Sequence, residues 1–71
     1  VSIFNIKMKT LIVKADDGRE YQVDDPNRFY QHLIDFHSDN SIGNNSVHEE
    51  NGYYFTVTPT FYDNVKKFIE K

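Results

Sequence analysis

Cysteine and tryptophan are absent from this chain of 71 residues, and glycine (three), proline (two) and methionine (one) are scarce. Without cysteine there is no disulfide framework, no zinc–thiolate site and no thiol nucleophile. Packing alone must hold a chain near the lower size limit for a self-sufficient core. Gly18, Gly43 and Gly52 stand apart from one another, which excludes a glycine-rich phosphate loop. No run approaches the roughly 20 apolar residues of a membrane span, and the first residues have no apolar stretch followed by a small-residue cleavage site. The chain therefore reads as soluble and cytoplasmic, with no membrane contact. Excess positive charge is also missing: 8 basic against 11 acidic residues give a net charge of −3, which argues against an unspecific grip on nucleic acid or anionic lipid.

Aromatic residues are plentiful, with six Phe and five Tyr. Each supplies a large buried area, enough in sum for the core of one domain. Two stretches resemble each other. Asp17-Gly18 and Asn51-Gly52 are each followed by a strand-like run, a hairpin signal. Val13, Tyr21 and Val23 align with Val47, Phe55 and Val57, and Phe29, Leu33 and Phe36 align with Phe61, Val65 and Phe68. The expected fold is α+β with element order ββαββα. Two tandem ββα units, residues 1–37 and 47–71, flank a polar loop at 38–46 within a single domain 1–71. One antiparallel sheet carries both helices on one face, and the two units lie side by side about a pseudo-twofold axis.

For each hairpin the expectation is a three-residue loop with glycine in a left-handed conformation. That choice places Val13 opposite Tyr21 and Leu11 opposite Val23, and leaves Lys14 beside Glu20 on the other face. In the second hairpin it places Val47 opposite Phe55 and turns His48 outward with Tyr54. Asp25 and Pro26 open the first helix as N-cap and first residue, with Phe29, Leu33 and Phe36 as its apolar stripe and His37 near its end, favoured there by the helix dipole when protonated. Thr58 before Pro59, or Thr60 with Asp63, opens the second helix, which buries Phe61, Val65, Phe68 and Ile69. Phe4, Ile6 and Met8 are out of phase with Leu11 and Val13, which calls for a bulge near Lys9 or Thr10 or for a partner over Phe4 and Ile6.

No motif names a function. His32 and His37 are five apart on a helix, a spacing that rotates them away from each other, so with His48 they read as surface histidines and no metal is expected. The serines and paired aspartates read as loop, turn and cap residues, so catalysis is not expected, nor any cofactor. The reading best supported is a small non-catalytic, regulatory domain that contacts a protein partner or itself, as a homodimer. Tyr54, Ile12 and His48 on the open sheet face and Phe4 and Ile6 at the N-terminus would make the contact. Asp16, Asp17 and Glu20 would steer a basic partner. The alternative is weak binding of single-stranded nucleic acid by the open face, where Tyr54 is the one aromatic available for stacking.

Overall fold

A computed structural model describes residues 10–70. The chain is α+β with the elements β1 (Leu11–Lys14), β2 (Glu20–Val23), α1 (Pro26–Phe36), β3 (Ser38–Asp39), β4 (Ile42–Gly43), β5 (Val47–Glu50), β6 (Tyr53–Thr56) and α2 (Pro59–Glu70). The ββαββα order holds once the small β3–β4 hairpin is set aside. Among the described residues the strands pair only two by two, as β1–β2, β3–β4 and β5–β6. In place of a continuous sheet, the two main hairpins meet at Asp16. Its backbone N–H donates to the Tyr54 carbonyl at 2.8 Å, and its carboxylate accepts from the Thr56 N–H and hydroxyl, both at 2.8 Å.

The first hairpin turns as its sequence implies. Leu11 faces Val23, Val13 faces Tyr21 and Lys14 faces Glu20. Gly18 sits at φ +91°, and the Gly18 N–H donates to the Ala15 carbonyl while Ala15 N–H donates to Arg19. This is a three-residue loop closed by a glycine bulge.

The second hairpin turns differently from the expectation. Asn51 (φ 51°) and Gly52 (φ 84°) are both left-handed, the signature of a two-residue turn whose twist matches the strands. Val47 therefore faces Thr56, and His48 faces Phe55. A change of one residue in register flips every side chain, so Val47 is exposed while His48 is buried beside Phe55. The equal parity expected of the two hairpins is thereby lost.

Both helix starts follow from capping. The Asp25 side chain accepts from the Arg28 N–H at 3.2 Å, with Pro26 at the first position, and the Thr58 hydroxyl accepts from the Phe61 N–H at 3.0 Å, each satisfying an orphan amide of the first turn. The core is one cluster drawn from both halves: Leu11, Val13, Ala15, Tyr21, Val23, Phe29, Leu33, Phe55, Val57, Tyr62 and Val65. Two helix positions depart from expectation. Phe36 is 66% exposed, because it lies at the end of α1 past the last core contact. Tyr62, outside the face expected to be buried by α2, is buried and packs on Tyr30, ring centroids 5.7 Å apart.

Residues 38–46, expected to be irregular, fold into β3–β4. Asn40 (φ 52°) and Ser41 (φ 63°) make its left-handed turn, and such a short hairpin needs no apolar face, so Ile42 points out. Gly43 lies so close to the backbone of Val57 and Thr58 that a Cβ there would overlap the Thr58 carbonyl oxygen. Next to it, Asn45 N–H donates to the Val57 carbonyl and Val57 N–H to the Ser46 carbonyl, both at 2.8 Å. The loop is thus tied to the end of β6. The phase break before Leu11, together with Phe4 and Ile6, lies outside the described residues.

Candidate metal centre

Two local features bring three histidines to one place. The first is the end of α1. His37 is the C-cap, with φ −131° and ψ 20°, so it has left the helix and the rotation of 100° per residue no longer separates it from His32. The second is the two-residue turn, which points His48 inward from β5. The three rings pack against one another with centroids 4.5 Å (His32–His48), 5.3 Å (His32–His37) and 5.3 Å (His37–His48) apart. One ring nitrogen from each lies within 4.8 Å of the other two. His37 and His48 are only 8% and 6% exposed, and His32 is half-buried. The expectation of three surface histidines is therefore corrected, and with it the placing of His48 on an open face.

Each buried ring is held through one nitrogen. His37 Nδ1 is 2.7 Å from the Ser46 hydroxyl, which itself bonds Asn44 Oδ1 at 2.5 Å. His48 Nε2 is 2.9 Å from Glu50 Oε1, Glu50 Oε2 accepts from the Tyr21 hydroxyl at 2.7 Å, and that hydroxyl accepts from Asn51 Nδ2 at 2.8 Å. Nε2 of His37 and Nδ1 of His48 make no hydrogen bond with a described residue. A hydroxyl or carboxylate on the outer nitrogen of a ligating imidazole is the usual means of fixing its tautomer and orientation. Phe29 abuts His48 edge-on at 5.3 Å and Phe36 covers His32 at 4.8 Å, giving the cluster an aromatic wall.

The electrostatics favour the neutral form of His32 and of His37. Burial, then the nearness of His48, lowers the pKa of His32 and of His37 below the ordinary 6.5, with His32 contributing to the shift of His37. Burial alone would raise the Glu50 carboxyl above 4.5, but the hydrogen bonds from Tyr21 and His48 outweigh it and the pKa is lowered. Neutral imidazoles beside an ionised carboxylate are what a divalent cation requires.

The donors suit a borderline ion. Imidazole nitrogen selects zinc and its first-row neighbours over magnesium or calcium, which take oxygen. At a metal–nitrogen distance of about 2.0–2.1 Å, tetrahedral ligands stand roughly 3.3–3.4 Å apart. The ring nitrogens here, within 4.8 Å of one another, need to close by at most about 1.5 Å to reach that spacing, and His32 is the most accessible of the three.

The other residues singled out in the sequence do not converge. Ile12 on β1 and Tyr54 on β6 are 52% and 56% exposed, at outward positions of different hairpins. Asp17 and Glu20 are exposed, Asp17 in an ion pair with Arg19 at 2.6 Å. Asp16 is spent on Thr56. Sequence reasoning set the three histidines aside on the helical spacing of His32 and His37, and overlooked Ser46 and Glu50 as their partners. The available signal was Asn51-Gly52, which as a two-residue turn puts His48 on the Phe55 face.

No helix among the described residues is long and apolar enough to cross a membrane. Comparison with protein-family models, with curated proteins and with solved structures finds no match to this chain.

Proposed function

We propose that the protein binds one first-row divalent transition-metal ion, of which zinc is the reference case, through His32, His37 and His48. The observation that carries this reading is the convergence of one nitrogen from each of three imidazoles, two of them buried, within 4.8 Å. Burying polar rings costs free energy unless their nitrogens are satisfied, and Ser46 and Glu50 bond only one nitrogen each of His37 and His48. A metal ion would take up one nitrogen of each ring at once. Because the ligands come from α1, its C-cap and β5, the ion would also tie the helix to the second hairpin and stabilise the fold by mass action. Calorimetric titration of the full chain with zinc at pH 7.5 should give one equivalent bound, with His37→Ala and His48→Ala each weakening it by about 100-fold or more, as loss of a ligand exceeds the 10–100-fold of an outer-shell partner. Binding that survives both substitutions, or its absence from the unaltered chain, rejects the proposal.

The second reading is contact with a basic protein partner through the outward strand positions, and the exposure of Ile12 and Tyr54 favours it. Asp17, Glu20 and Glu49 lie exposed on the same hairpins and would steer a Lys/Arg-bearing surface. Reversing Asp17 and Glu20 should then slow association and flatten its salt dependence, and unchanged kinetics would dismiss this reading. His48 and Asp16 have no place in that surface, since one is buried and the other is bonded to Thr56.

A further inference from the structure

The geometry points to an open coordination site: the bound ion keeps its fourth position for water or a small anion, a carboxylate or an inorganic ion, entering from the cleft between α1 and the second hairpin. This inference rests on the three-histidine reading above. Three protein nitrogens leave a tetrahedral ion one ligand short, and a closed structural site would draw a fourth from the chain.

Glu50 is the obvious candidate for that fourth ligand, and its bonds place it elsewhere. Oε1 is held at His48 Nε2 and Oε2 at the Tyr21 hydroxyl, which Asn51 anchors in turn. In an imidazole the lone-pair directions of the two nitrogens diverge widely. A carboxylate on Nε2 therefore stands across the ring from an ion on Nδ1, and reaching that ion would break both of its bonds. Glu50 is thus the positioning residue of His48, the carboxylate of a carboxylate–histidine–metal relay.

The cleft is the route of entry. A volume of about 410 Å³ reaches His32 and His48 from a rim of Tyr21, Asp24, Asp25, Arg28 and Asn51. A space of that size admits a small ligand. Three carboxylates line it, and two are engaged: Glu50 as described, and Asp25 as the cap of α1. Asp24 opposes an anion. Against it stand Arg28, which lines the same cleft and makes no ion pair with a described residue, and the ion itself, whose double charge neutral imidazole ligands leave undiminished. With the ion bound, its double charge and that of Arg28 match the three carboxylates of the lining, so the cleft carries no net negative charge against a small anion.

The test uses the full chain loaded with one equivalent of cobalt(II), whose visible absorption reports coordination number and ligand exchange, titrated with sodium azide. The expected result is intense tetrahedral bands that shift saturably with azide while cobalt stays bound. Arg28→Ala should weaken the azide response by about threefold, the scale of an exposed charge contact. Glu50→Gln should lower cobalt affinity by about 10–100-fold, as loss of an outer-shell partner does, yet leave the bands and their azide response in place. Bands that ignore azide in the unaltered chain and respond only in Glu50→Gln would make Glu50 the fourth ligand and overturn the open site while keeping the metal. Failure to take up cobalt at all would overturn the three-histidine reading and the open site with it.

Discussion

The two main hairpins carry nearly the same punctuation, Asp17-Gly18 and Asn51-Gly52, and fold it differently. In the first, Asp17 keeps a φ outside the left-handed range and only Gly18 turns left (φ +91°); in the second, Asn51 and Gly52 both turn left. Asparagine and aspartate both visit the left-handed region more readily than most residues, and of the two turns it is the asparagine that does so here, in the two-residue form that Asn-Gly favours. The outcome is opposite parity. The first hairpin buries Leu11, Val13, Tyr21 and Val23 and sends Lys14 and Glu20 outward, whereas the second buries His48 with Phe55 and leaves Val47 exposed. A single turn residue thus decides whether a histidine faces solvent or the interior.

Truncations in the equivalent core positions give the largest expected effect. Phe55→Ala, at a fully buried ring packed on Phe29, Phe61 and Tyr21, should cost about 4 kcal/mol in denaturant unfolding. At the aligned position Tyr21→Phe should cost about 1 kcal/mol, because it removes hydrogen bonds to Glu50 and Asn51 and keeps the ring. It should also loosen zinc binding through Glu50. A Phe55→Ala cost below that of Tyr21→Phe would deny the second hairpin its place in the core.

Glycine substitutions come next. Gly43→Ala pushes a methyl into the carbonyls of Val57 and Thr58 and should cost about 3 kcal/mol, at the upper end for overpacking. Gly18→Ala and Gly52→Ala meet no atoms but must hold a positive φ, at about 1–2 kcal/mol each. Equal losses at all three positions would show that β3–β4 is not pinned to the end of β6.

The turns themselves separate the hairpins further. Asn51→Ala should lower stability by about 1–2 kcal/mol through left-handed strain, a fall of several degrees in midpoint for a domain of this size. Asp17→Ala removes an exposed pair with Arg19 and the hydrogen bond its carboxylate accepts from the Arg19 N–H at 3.0 Å, and should cost less than about 1 kcal/mol. The reverse ranking would mean that the two turn types have been exchanged.

The smallest effect expected is in pH dependence, measured in chelator so that no metal contributes. His32 and His37 titrate below 6.5 in the folded chain, so the unfolded chain takes up their protons first. Their stabilising contribution is complete above 6.5 and is lost as pH falls through the lowered values. Glu50, below 4.5, adds a further loss in more acid solution. His37→Gln should flatten the first part of the curve, and an unchanged slope would contradict the burial of that ring.

Much of the fold is legible from residue chemistry. Asp25-Pro26 and Thr58-Pro59 mark both helix starts, and the spacing of Phe29, Leu33, Phe55 and Val65 marks core. The candidate site was hidden by two boundary effects that periodicity does not report. His32 and His37 meet only because α1 ends at Phe36 and His37 leaves helical geometry. His48 joins them only because Asn51 turns left-handed. Ser46, which fixes His37, comes from a stretch whose Ser/Asn composition reads as loop and which folds through left-handed Asn40, Ser41 and Asn45. In each case side-chain direction is set by a single residue's φ and ψ rather than by a repeating pattern.

The most direct measurement is a long-range nitrogen–proton correlation spectrum of the three imidazoles, recorded with and without one equivalent of zinc. His37 should ligate through Nε2 and His48 through Nδ1, the nitrogens left by Ser46 and Glu50, and His32 should change with them at the same single equivalent. Rings that keep their free-imidazole signals on adding zinc, or a response confined to the half-buried His32, would contradict the three-histidine centre.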